Sequence, residues 1–159
     1  MTFKSKRTLV SMAAGAALTA AYVVYALGGQ APAPEDLSAW ALAMLVFIGI
    51  AVAASVVIQI LFHIAYSVGV AVKERALSDK EVERIVEAET AEDEMDELVG
   101  LKSSHAGYMC AGIGFAAALA GLAFFGATAV AALHIMLGAV LIGSLAEGVI
   151  SIKLYERGV

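Results

Sequence analysis

No Asp, Glu, Lys or Arg occurs between Arg7 and Glu35, between Asp36 and Lys73, or between Lys102 and Glu147. Uncharged stretches of that length suit a lipid bilayer, because a helix needs about 20 mostly apolar residues to cross roughly 30 Å of hydrocarbon at about 1.5 Å per residue. The chain has 159 residues, 61% of them hydrophobic and 16% charged, against roughly 25% charged in a soluble domain. Water is therefore not its main solvent. Four spans are expected, at about residues 8–27, 37–72, 104–125 and 129–152.

The punctuation between spans follows from backbone chemistry. Pro32 and Pro34 in GGQAPAPED cannot continue a helix, and Glu35 and Asp36 favour the positive end of the next helix dipole. The third and fourth spans are separated only at Gly126, Ala127 and Thr128, inside an apolar tract too long for one crossing, so a tight reversal is expected there. The amino terminus also imitates a cleaved signal peptide, with KSKR, an apolar run and APA. Its run of about 20 residues exceeds the 7–15 of a signal core, and Tyr22 and Tyr25 suit an interfacial anchor, so a retained span is the expectation.

Orientation follows from Lys and Arg, which are retained in the cytoplasm. Lys4, Lys6 and Arg7 precede span one; Lys73, Arg75, Lys80, Arg84 and Lys102 lie between spans two and three; Lys153 and Arg157 follow span four. These are all 10 basic residues, and four crossings put every one on the same side. The expected architecture is an all-α integral membrane four-helix bundle of two transmembrane helix hairpins. It would lie in the cytoplasmic (inner) membrane, with both termini and a short helical loop at residues 73–103 in the cytoplasm.

That loop is acidic: eleven of the 15 carboxylates lie between Glu74 and Glu97. It is no nucleic-acid binder, since phosphate affinity needs clustered Lys and Arg. Ser78 with Glu81, and Thr90 with Asp93, have the capping-box spacing, so two short loop helices are expected. Val82, Ile85 and Val86 give the first a narrow apolar face, and Met95, Leu98 and Val99 the second. No strong breaker separates Met95 from Gly107, so the second is free to run on into span three, with Gly100 the expected kink. The loop reads either as a solvated face resting on its neighbours or as a docking surface for a cytoplasmic partner, using Asp93, Glu94, Asp96 and Lys102.

The stretch DEMDELVGLKSSHAGYMCAGIG, residues 93–114, resembles a group of uncharacterised small prokaryotic four-span membrane proteins with an Asp-Glu-Arg-Asp signature before the third span. The matching positions are Asp93, Glu94, Asp96, Leu98, Lys102, Ser103, Ser104 and Tyr108. Glu147, Lys153, Tyr155, Arg157 and Gly158 extend the likeness to the carboxy terminus. Met95 departs from the pattern, standing where the group has Arg, so an ion pair made by that Arg is absent. The resemblance implies fold and topology; the group has no established activity to carry over.

Ionisable groups within a bilayer cost several kcal/mol and persist where they face protein or water. Glu147 lies six residues before Lys153, about 9 Å inward from the end of span four, and Ser144 and Ser151 share its face. Span two carries Ser55, Gln59 and His63 at successive helical steps. If spans two and four are neighbours, Gln59, His63 and Glu147 would form one intramembrane cluster, with His105 near it. Three readings compete for it. The first is polar glue between helices, and the second is a proton or ion site in a small transporter or channel component using Glu147 and His63. The third is a metal site drawing on His63, His105 and Glu147, or on Asp93 and Asp96 of the acidic run.

No catalytic motif and no phosphate-binding glycine pattern is present, and three His are too few for two bis-His haems, so neither an enzyme nor a cofactor is expected. His134 reads as an interfacial side chain and Cys110 as a structural thiol. The glycines at 107, 112, 114, 121 and 126 let helices approach closely, and such packing also serves homo-oligomerisation. The leading expectation is a non-enzymatic membrane protein presenting its acidic loop to a partner.

Overall fold

The computed structural model describes residues 3–73 and 94–157. The described residues form four helices: α1 (Phe3–Leu27), α2 (Leu37–Lys73), α3 (Glu94–Phe124) and α4 (Ala129–Arg157). Each is long and apolar enough to cross a membrane. The expected capping pairs Ser78/Glu81 and Thr90/Asp93, and the apolar face at Val82, Ile85 and Val86, lie outside the described residues.

Helix ends form where backbone groups find substitute partners. After α1, the Gly28 amide donates to the Tyr25 carbonyl at 3.1 Å, and Pro32 and Pro34 prevent resumption. Asp36 caps α2: its Oδ1 accepts from the Ala39 amide at 3.0 Å and from the Ser38 hydroxyl at 2.9 Å. The Ala39 amide foremost, then the Ser38 hydroxyl, hold the Asp36 carboxyl below its usual range. Between α3 and α4 the reversal turns on Gly126, whose φ of 64° is in the left-handed region. There the amides of Phe125 and Ala127 both donate to the Gly121 carbonyl, at 3.2 and 3.0 Å. Thr128 Oγ1 then accepts from the Ala131 amide at 3.1 Å and starts α4.

Two boundaries differ from what apolarity alone predicts. The first helix begins at Phe3 and so includes Lys4, Lys6 and Arg7 in its opening turns. The third begins at Glu94 and runs unbroken through Gly100, so the helix expected around Met95 and Val99 continues directly into the apolar stretch from residue 104. Hydropathy marks only the part of a helix that fits hydrocarbon. Here the polar turns continue because Ser5, Val99 and Ser103 pack to 0%, 0% and 1% exposure.

The third and fourth helices lie antiparallel along most of their length, with small residues at the seam. A β-carbon on Gly114 would collide with that of Ala139, and one on Gly143 would meet the Gly107 carbonyl at 3.0 Å and Cys110 at 3.1 Å. On another face of α4, Gly148 lies against the Met12 side chain of α1. Helix α4 thus contacts the other three.

At about 55 Å, α2 exceeds the roughly 30 Å of a bilayer core. It joins the others near its start. Trp40 and Met44 are buried, the Trp40 ring meets His134 edge-on at 4.6 Å, and the Trp40 indole N–H donates to the Ala33 carbonyl at 3.1 Å. Tyr22 and Tyr25 of α1 pack on Phe47 at 5.1 and 5.6 Å between ring centroids. Further along α2, Val56, Ile60, Leu61, Ile64 and Val68 are all exposed. An apolar exterior of that extent is foreign to a water-soluble monomer and ordinary for one solvated by lipid.

Candidate functional site

Polar contacts cross the α3–α4 seam at three levels, stepping along α3 from its start as they step back along α4 from its end. At the end where α1 begins, Asp96 accepts from the Tyr155 hydroxyl at 2.9 Å and pairs with the Lys4 ammonium of α1. The three helices meet at this carboxylate. Asp96 lies in the first turn of α3, where the helix dipole favours negative charge, and it offsets the unfavourable position of Lys4 at the positive end of α1. Next, the Ser151 hydroxyl donates to Ser103 Oγ at 3.2 Å, and Ser103 donates to the Gly100 carbonyl at 3.2 Å.

Third and deepest is Glu147. Its Oε1 accepts from the Ser104 hydroxyl at 2.8 Å. The side chain lies close to α3 at Gly107, where an added β-carbon would stand 3.1 Å from Oε2. No hydrogen bond to Oε2 and no cationic partner for Glu147 occur among the described residues. The carboxylate looks into a cavity of about 340 Å³ lined by Ser104, Gly107, Tyr108, Ala111, Val140 and Ser144.

The other candidates from the sequence go elsewhere. Ser144 shares the cavity as its spacing from Glu147 requires, though its hydroxyl donates to the Leu141 carbonyl at 2.9 Å. Gln59 and His63 are exposed on α2, and no hydrogen bond joins either to Glu147. The serines beside them turn back on their own helix: Ser55 to the Ala51 carbonyl at 3.1 Å and Ser67 to that of His63 at 3.0 Å. His105 is exposed on α3, as are Glu94 and Lys102; Asp93 lies outside the described residues. Among the described residues no group of three or more His, Cys, Asp or Glu comes together to hold a metal ion. Cys110 is a free, half-buried thiol packed towards Gly143.

His134 belongs to an aromatic cluster at the opposite end of the bundle. Its Nδ1 donates to the Val130 carbonyl at 2.8 Å, and its ring lies against Trp40 and, at 6.1 Å, Tyr22. Sequence reasoning missed the roles of Lys4 and Tyr155 as partners of Asp96. Each carried a signal, as a topology marker or a motif position, but nothing in a single sequence links residues so far apart. No known protein family, curated protein or solved structure matches the chain.

Proposed function

We propose that the chain is a four-span protein of the cytoplasmic membrane, built from two helix hairpins, which presents its acidic segment to a cytoplasmic partner and carries out no catalysis. The observation that carries this reading is the Asp96 node. Lys4 and Tyr155 bring the start of α1 and the end of α4 to the start of α3. Residues 74–93 connect directly into that start, so one end of the bundle gathers both terminal helix ends and the entry of the most acidic part of the chain. The basic residues belong to the same ends, which by their retention in the cytoplasm gives that end its side. The turn at Gly28–Asp36 and the reversal at Gly126 lack Lys and Arg altogether.

An uncharged membrane anchor needs no such segment, and a partner with a basic surface would find its charge complement there. The experiment pairs two measurements. Reporters fused after Val159 and inserted at Gly29 are expected to register cytoplasm and exterior respectively. Site-specific photocrosslinkers at Asp79 and Glu83 are expected to trap one recurrent partner, and deletion of residues 79–91 to abolish its capture. A periplasmic carboxy terminus, or capture indifferent to the deletion, overturns the reading.

A further inference from the structure

The Glu147 cavity has no part in presenting the acidic segment, yet its chemistry is specific. It holds one carboxylate whose second oxygen has no donor and no cationic partner among the described residues. It lies about 9 Å inward from Lys153 along α4. An uncompensated carboxylate at such depth is costly, and a bound cation relieves that cost.

Three features select the cation. With a single carboxylate, the cavity provides one negative charge, whereas a divalent ion of the Ca²⁺ or Mg²⁺ type takes six or more oxygens and no cluster of three ligating side chains is present among the described residues. A volume of about 340 Å³ is too large for a bare ion and lies at the lower end of the roughly 300–1,000 Å³ of organic ligand sites. Gly107, Ala111 and Val140 make much of the wall apolar, and Tyr108, 76% exposed, adds an aromatic side chain to the lining, a residue type that attracts ammonium groups. We infer that the cavity between α3 and α4 binds a monovalent organic ammonium with an apolar arm, its charge on Glu147 and its body against Tyr108 and Val140. Such a group is found both in a lipid headgroup and in a free amphiphilic amine.

Equilibrium dialysis of radiolabelled benzyltrimethylammonium against the full chain, in bilayer discs of phosphatidylglycerol, tests this. Saturable binding at one site per chain is expected, at least about tenfold weaker in Glu147→Gln, since the charge-assisted contact is lost while Gln still accepts from Ser104. Tyr108→Leu, which alters an exposed ring and leaves the seam intact, is expected to weaken it about threefold. Competition when phosphatidylethanolamine is added to the discs identifies the headgroup as the natural source, and undiminished binding identifies a free amine; both support the site. Unsaturable partitioning, equal binding by Glu147→Gln, or displacement by stoichiometric sodium overturns it. The inference rests on the membrane placement of α4 in that reading but not on where residues 74–93 face, so the ammonium site and the partner-presenting role fail separately.

Discussion

The second helix is the most apolar of the four, and no helix is less buried; the fourth is less apolar and the most buried. In water the order would be reversed, because burial there follows hydrophobicity. Between helices in lipid the apolar driving force vanishes, and close backbone approach and hydrogen bonding decide which surfaces adhere. The α3–α4 seam has both, with Gly107, Gly114 and Gly143 facing the partner helix and Ser104–Glu147 and Ser103–Ser151 crossing it. Helix α2 has bulky Val, Ile and Leu outward and serines bonded to its own carbonyls.

The largest effect should come from filling the seam. Gly114→Val has to displace Ala139, so overpacking is expected to destabilise by about 1–3 kcal/mol. Gly49→Ala on α2, where an added β-carbon meets nothing, should stabilise by about 0.5–1 kcal/mol through helix propensity. Denaturant titrations in detergent micelles, followed by helical circular dichroism, measure both. Equal destabilisation by the two variants would mean that α2 is packed as tightly as α4, and the contrast would be lost.

Next in size is the Asp96 node. Asp96→Asn removes the charge that holds Lys4 and weakens the acceptor of the Tyr155 hydroxyl. With side chains 23% and 11% exposed, the pair is only partly screened, and a loss of about 1–2 kcal/mol is expected. A cycle with Lys4→Met apportions it, and additivity of the two single effects would show that the ion pair contributes nothing.

What could be read beforehand divides along the same line. Four helices, the break at Pro32 and Pro34, the reversal at Gly126 and the cap at Asp36 are local properties, written in hydropathy and backbone chemistry. Apolarity marks only the hydrocarbon-length core of a helix, so the charged opening turn at Lys4 is not visible in it, whereas the run of α3 back to Glu94 follows from the lack of a helix breaker between Met95 and Gly107. Neighbour identity was not legible. The face shared by Ser144 and Glu147 follows from helical spacing, but a helix face does not name its partner, and Gln59 or His63 looked as eligible as Ser104. The two helices approach closely at Gly107 and Gly143, and there Ser104 bonds Glu147.

Smaller effects sharpen that point. Ser104→Ala should cost about 0.6 kcal/mol, the usual worth of an interhelical hydrogen bond in a membrane protein. His63→Leu and Gln59→Leu, on the exposed face of α2, should leave the unfolding midpoint where it was. If His63→Leu proved as damaging as Ser104→Ala, the exposed face of α2 would have to be covered in the membrane, by a second copy or another protein.

The smallest effect concerns the start of α2. Asp36 is exposed, and the Ala39 amide and Ser38 hydroxyl lower its carboxyl from the ordinary value of 3.8. A group titrating lower in the folded state adds stability that is fully present above its unfolded value and disappears as pH falls through the folded one. Acidification below about pH 4 should therefore fray the first turn of α2, and Asp36→Ala should reproduce that fraying at neutral pH, whereas Asp36→Asn, a comparable cap, should not. Amide exchange at Ser38 and Ala39 reports the change directly. Because α2 is attached near this turn through Trp40 and Met44, exchange confined to the first turn means that the aromatic cluster holds the helix by itself. Exchange that spreads to Phe47 would mean that the cap and the cluster form one cooperative unit, and that α2 is anchored by its polar turn as much as α4 is by its seam.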